Sequence, residues 1–402
     1  MRGNSTTTYG SVTKSFHWLI ALLIITMIPL GIYANGLPYD TGAALAFKAQ
    51  MFSIHKTLGV FIFFTALARI AWAISQPKPA LLNADKRLEA MLAELVHWTL
   101  YAALVLVPLT GWIHHAATTG FAPIWWPFGQ GLPFVPKDDS FAHIFASLHI
   151  VFERVLAISI ILHVAGALKH HFIDKDITLR RMTPGITEPD SVPAQHRSAL
   201  PILGAVGAYL LAMVVGANLG MFAAPVQQQS LAPAASSLET VESGWTVQDG
   251  TLAITVRQLG SDVQGSFADW TAAINFSETP DANGRHGDVE VQISVGSLTL
   301  GSVTSQAMGA DFLDAATHDT AVFKADILAD ADTYKAEGTL TLKGVETPVV
   351  LPFSLQIDGD TAVMQGQTRL NRTSFNIGES YPDESSLGFD VAVTVNLTAT
   401  RN

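Results

Sequence analysis

Residues 144–168 read IFASLHIVFERVLAISIILHVAGAL, an apolar run with His149 near its start and His163 near its end. It is long enough to cross a bilayer, which takes about 20 residues. His149 and His163 are 14 residues apart. On an α-helix that separation is a rise of about 21 Å and a rotation about 40° short of four turns. The two imidazoles therefore share one helix face near opposite membrane surfaces. An ionisable side chain inside a span is expensive and marks function by default. A lone histidine is more often a satisfied packing residue, but a repeated spacing shifts that balance.

Four further runs have the same character, at 16–34, 52–75, 94–115 and 199–224. The first lacks a small-residue cleavage site followed by a soluble domain, so it reads as a span rather than a signal peptide. Lys78, Lys86 and Arg87 fall in one connecting loop, and Lys169, Lys175, Arg180, Arg181 and Arg197 in another. The intervening loops carry only Lys48 and Lys137. The positive-inside rule then puts the N-terminus in the cytoplasm and everything beyond the fifth span in the periplasm of a bacterial inner membrane.

Depth pairs the histidines. His17 opens the first span on the cytoplasmic side and meets the level of His163; His55 opens the second on the periplasmic side and meets His149. Two such imidazole couples, one above the other, would each hold a b-type haem iron, giving two haem b groups within electron-transfer reach. Arg69, 14 residues after His55, could reach the propionates of the cytoplasmic haem, and Arg154 those of the periplasmic one unless it pairs with Glu153. Gly31, 14 residues after His17, would admit the periplasmic haem close to the helix. His97 has no evident partner at its depth and reads as a packing residue. His170, seven residues after His163, could donate to a quinone head and relay protons.

Composition agrees with this division. The 402-residue chain is 49% hydrophobic and 14% charged, about half the usual charged share, which argues against an ordinary soluble enzyme. Residues 1–230 carry a net charge of +4 and 11 of the 13 histidines, whereas 231–402 carry −15. The acidic half disfavours nucleic acid as a partner. With no cysteine, thiolate metal sites, iron–sulfur clusters and covalently attached haem are excluded.

After a Pro/Ala/Gln/Ser-rich tether at 224–237 the period changes to that of short antiparallel strands, such as TLAITVRQL, TAVFKADIL and DVAVTVNLTAT, with turn residues between them. One short helix is expected near Ser305–Leu313. No catalytic constellation accompanies the strands, so this half reads as a binder.

The motifs SFHWLIALL, HKTLGVFIFFTALARI, VHWTLYAALVLVPLTGW and LHVAGALKHHFIDKDITLRRM resemble the bacterial cytochrome b-561 family over roughly residues 9–183. The resemblance implies a four-helix di-haem bundle that exchanges electrons with quinone, with haem ligands at His17, His55, His149 and His163. It also implies a quinone site near Ser15 and His170 at the cytoplasmic edge, beside which stands the alternative of quinone presented from the periplasmic barrel. One branch of that family oxidises superoxide at the periplasmic surface and passes the electron to ubiquinone. The fifth span is outside the family pattern. Residues 238–402, with VRQLGSDVQGSFADWTAAINF, MGADFLDAATHDTAVFKADIL and GTLTLKGVETPVVLPFSL, resemble the YceI-like lipid-binding family. That implies a lipocalin-like eight-stranded antiparallel barrel holding an isoprenoid chain.

The expected organisation is thus a di-haem membrane domain over 1–183, a connecting loop, fifth helix and tether over 184–237, and a periplasmic barrel over 238–402. The expected activity is electron transfer between a periplasmic one-electron donor, superoxide, and a ubiquinone-like isoprenoid quinone. Two alternatives stand beside it: an isoprenoid lipid carrier with a membrane anchor, and a quinol-oxidising cytochrome b subunit of another redox enzyme.

Overall fold

The computed structural model describes residues 2–118, 121–195, 198–223, 238, 243–301, 303–331 and 333–402. The tether at 224–237 lies outside the described residues. The chain divides into two units: Met1–Leu37, Gln50–Ala117 and Pro123–Pro225 form one, and Pro38–Ala49, Thr118–Ala122 and Val226–Asn402 the other.

Among the described residues five helices are long and apolar enough to cross a membrane, and the chain is a membrane protein. They are α1 (Ser11–Gly36), α2 (Gly42–Ser75), α3 (Arg87–Ala117), α4 (Asp139–Lys169) and α5 (Leu200–Asn218). Helix α2 begins ten residues before the expected span, so His55 lies well inside it rather than opening it. The reason is local. The Thr41 hydroxyl accepts the Ala44 N–H at 3.2 Å, and the alanine-rich run behind this cap favours helix without being hydropathic enough to read as membrane. Asp138 caps α4 in the same way through the Phe141 N–H, at 2.6 Å.

The helical core joins Ile20 and Ile24 of α1, Ala66 of α2, Ala103 and Leu104 of α3, Phe152 and Leu156 of α4, and Tyr209 of α5. Helix α5 enters through small residues: a Cβ at Gly216 would stand 2.9 Å from Val151, and one at Gly204 2.7 Å from Leu95. The Tyr209 hydroxyl then donates to the Thr99 carbonyl at 2.9 Å, and Thr99 and Ser159 share a buried hydroxyl contact at 3.0 Å. The aromatic loop at 121–134 contributes Ile124, Trp126 and Leu132 to a cluster with Val60, Phe63 and Trp112.

The second unit is a closed antiparallel barrel. Its eight ring strands are β1 (Trp245–Gln258), β3 (Trp270–Phe276), β4 (Arg285–Ser294), β6 (Thr320–Asp330), β7 (Thr333–Leu342), β8 (Val345–Asp358), β9 (Thr361–Asn371) and β10 (Leu387–Arg401). Pairing of β10 with β1, from Trp245↔Arg401 to Gln258↔Leu387, closes it. Two shorter strands, β2 (Ser261–Phe267) and β5 (Leu298–Thr299), extend the sheet from the second half of β1. The expected short helix is α6, Thr304–Ala307. The β7–β8 hairpin turns on Lys343 and Gly344, both at positive φ (51° and 73°), the two-residue geometry that follows the twist of the strands.

Candidate functional site

Within the helical unit the histidines meet at two levels. The rings of His55 and His149 have centroids 6.5 Å apart, and those of His17 and His163 6.0 Å apart. Two imidazoles bound to opposite faces of one metal ion, each by a bond of about 2 Å, place their ring centres about 6 Å apart. The donor set is therefore spaced for one metal at each level.

The two levels are built from the same four helices, each contributing a residue to one level and another 14 positions away to the other. At the His55 level α1 supplies Gly31 and α3 supplies Gly111. A Cβ at Gly31 would lie 2.9 Å from the His55 ring, and one at Gly111 2.9 Å from His149 Nδ1. Glycine at these positions is what lets the rings stand against the neighbouring helix. The Nδ1 of His149 lies 2.8 Å from the Val107 carbonyl; donation there fixes the tautomer that leaves Nε2 free for a metal.

At the His17 level the corresponding positions on α2 and α3 are Arg69 and His97. Arg69 is within electrostatic reach of both His17 and His163, and its guanidinium lies over the Tyr101 ring at 5.4 Å. His97 stands edge-on to His163 with centroids 5.1 Å apart. It therefore has a partner at its depth, contrary to the expectation from sequence. Arg154 is paired with Glu153 at 3.2 Å, the alternative weighed against a propionate contact.

His170 begins a π-helical turn, His170–Asp174, that ends α4, and its Nδ1 lies 2.6 Å from Asp176 and 3.3 Å from Asp174. Lys169 and Lys86 also pair with Asp174, at 2.9 and 3.4 Å. Ser15 is exposed on α1. Sequence reasoning missed the cap next to this turn. Buried Arg181 donates to the carbonyls of Ala80 and Thr7 at 2.9 and 2.5 Å and lies over Tyr9. Lys14 donates to those of Thr183 and Gly185, at 2.8 and 2.6 Å.

In the barrel unit a cavity of about 310 Å³ runs through the interior, lined almost wholly by apolar side chains. Its lining follows β1 from Trp245 to Gln258, roughly 40 Å of strand, which makes it long and narrow. Near one end, Arg372 directs all five of its N–H donors at backbone carbonyls. Nε donates to Gly388, Nη1 to Ile377 and Gly378, and Nη2 to Tyr381 and Leu387, at 2.5–3.2 Å. This clamp shapes the segment between β9 and β10. Tyr381 accepts from Gln306 Nε2 at 2.9 Å and donates to the Tyr39 carbonyl at 2.8 Å. Burial raises its phenol above the ordinary tyrosine value, so it remains a donor.

Residues 8–185 match the family model for prokaryotic cytochrome b561, and residues 231–399 match the YceI-like domain. Cytochrome b561 homolog 2 of Escherichia coli is 30% identical over 183 residues, 44% of this chain and 93% of that protein. The probable superoxide oxidase CybB of Yersinia pestis is 27% identical over 177 residues, covering 96% of that protein. On the barrel side, the crystal structure of Burkholderia cenocepacia BcnA aligns at 28% identity over 38% of this chain and 96% of that one, with a TM-score of 0.35. The chain belongs to the prokaryotic cytochrome b561 family and carries a YceI-like domain on its C-terminal side.

Proposed function

We propose that the protein is a membrane oxidoreductase that takes electrons from superoxide and delivers them to an isoprenoid quinone, with a tethered barrel that holds the isoprenoid. The observation that carries this reading is the pair of imidazole couples, each spaced for one metal and set on shared helices. His17 with His163, and His55 with His149, would hold two haem b groups, which when bound supply one-electron redox chemistry. The overall reaction balances as two superoxide ions plus one quinone plus two protons, giving two dioxygen molecules and one quinol.

The chain's own residues have separate tasks in this scheme. Gly31 and Gly111 seat the rings at the His55 level, and the Val107 carbonyl orients His149. Arg69 offers positive charge at the His17 level. His170, oriented by Asp176, and Ser15 would face the quinone head, with His170 relaying its protons. The loop charges support a cytoplasmic position for this end and a periplasmic one for the barrel. The relation to a probable superoxide oxidase supports the donor, and the YceI-like match with the long apolar cavity supports the isoprenoid.

The test is spectroscopic and kinetic. Purified protein is expected to show about two b-type haems per chain in a reduced-minus-oxidised spectrum. Mixing with superoxide should reduce the pigment, and added quinone should reoxidise it. Pigment that superoxide does not reduce would remove the donor assignment.

A further inference from the structure

We infer that Gln258 is the head-group contact of the barrel cavity and that it selects an uncharged head bearing a hydroxyl or carbonyl oxygen. The inference rests on the barrel's being an isoprenoid binder, as proposed above, and adds the chemical class of the head.

The argument begins with strand period. Along β1, Leu252, Ile254, Val256 and Gln258 occupy alternate positions, and all four line the cavity. The fourth breaks the apolar pattern with an amide. Gln258 as a whole is buried, 6% exposed. Among the described residues its side chain makes no hydrogen bond or ion pair. A primary amide at an inward strand position, turned into an apolar cavity without a partner, is costly unless something else completes it. The β1–β10 register shifts between Val256 and Gln258, a local irregularity of the kind that re-aims side chains beside functional sites.

The neighbouring polar groups narrow the ligand. Arg372 is the cation that lines the cavity, and each of its five donors already meets a carbonyl. Thr368 donates to the Val350 carbonyl, and the Tyr381 hydroxyl lies between Gln306 and Tyr39. A phosphate head would need several donors and compensating charge; the one lining guanidinium is fully committed, which leaves only neutral amide donors, those of Gln258 and the second N–H of Gln306. An amide offers one acceptor and two donors, which suits a single hydroxyl or carbonyl oxygen.

The experiment uses detergent-solubilised full-length protein and three radiolabelled probes on related carbon skeletons: phytol, phytane and phytyl phosphate. Wild type should bind phytol about tenfold more tightly than phytane or phytyl phosphate. Gln258→Met, close in size and without the amide, should bring phytol down to the level of phytane and leave phytane itself unchanged. A phytol preference that survives Gln258→Met overturns the assignment of Gln258 while leaving the barrel a binder. Phytyl phosphate binding as tightly as phytol to wild type overturns the neutral-head assignment, even if the variant does not fold. No binding of any probe to wild type overturns the isoprenoid reading and this inference with it.

Discussion

The His55 level and the His17 level use the same four helices but differ in what stands behind the rings. At the first, two glycines let α1 and α3 approach the imidazoles of His55 and His149. At the second, the equivalent positions carry the guanidinium of Arg69 near the pair and the ring of His97 against His163. The first level is seated by the absence of side chains and has opposite charges, Lys56 and Glu153, within electrostatic reach; the second is seated by a cation with no such carboxylate beside it and by a third imidazole. In a medium of low dielectric, positive charge beside a redox centre favours its reduced form. On the proposed reading, the His17 level should therefore have the higher midpoint potential and draw electrons away from the His55 level.

That contrast can be broken from either side. The largest effect is expected from Gly111→Val. Its Cβ alone would stand 2.9 Å from His149 Nδ1, so the ring must leave its place, and about half of the b-type haem should be lost in a pyridine haemochrome assay. Gly207→Val, where a Cβ would meet nothing within 4 Å, should leave the pigment intact. Next comes Arg69→Leu. Redox titration should show the higher potential falling by on the order of 50 mV while the lower one barely moves. His97→Phe keeps the ring contact and removes the polar nitrogens. A smaller shift confined to the same centre is expected, with a change in its low-temperature electron paramagnetic resonance signal. The smallest effect belongs to Tyr209→Phe, which deletes the hydrogen bond to Thr99 and should cost about 1 kcal/mol of thermal stability with both potentials unchanged.

The sequence made half of this site legible. The 14-residue interval links His149 to His163, His17 to Gly31 and His55 to Arg69, each within one helix, and a helical period is enough to see it. The α3 members are hidden because His97, taken alone, reads as a packing residue. The antiparallel register that sets Gly111 beside His149 also sets His97 beside His163, one interval earlier on α3 and one later on α4. Extending the same interval to Gly111 in the LTGW motif would have found both. The start of α2 was hidden because residues 42–51 are alanine-rich and only moderately apolar, a composition that signals helix but not membrane. In the barrel, strand period was readable in most strands, whereas closure rests on Trp245 meeting Arg401, a pairing set by the whole ring. Arg372 was invisible as a clamp, since its partners are carbonyls whose positions only the folded segment between β9 and β10 fixes.

The central claim is that two imidazole couples hold two separate redox centres. Its most direct test is to compare His149→Ala with His163→Ala by haem content and redox titration of the purified proteins. Each variant should retain about one of two b-type haems, and the survivors should differ, with the higher potential remaining in His149→Ala and the lower in His163→Ala. Two variants that keep the full pigment complement, or that keep the same single centre, would contradict the account.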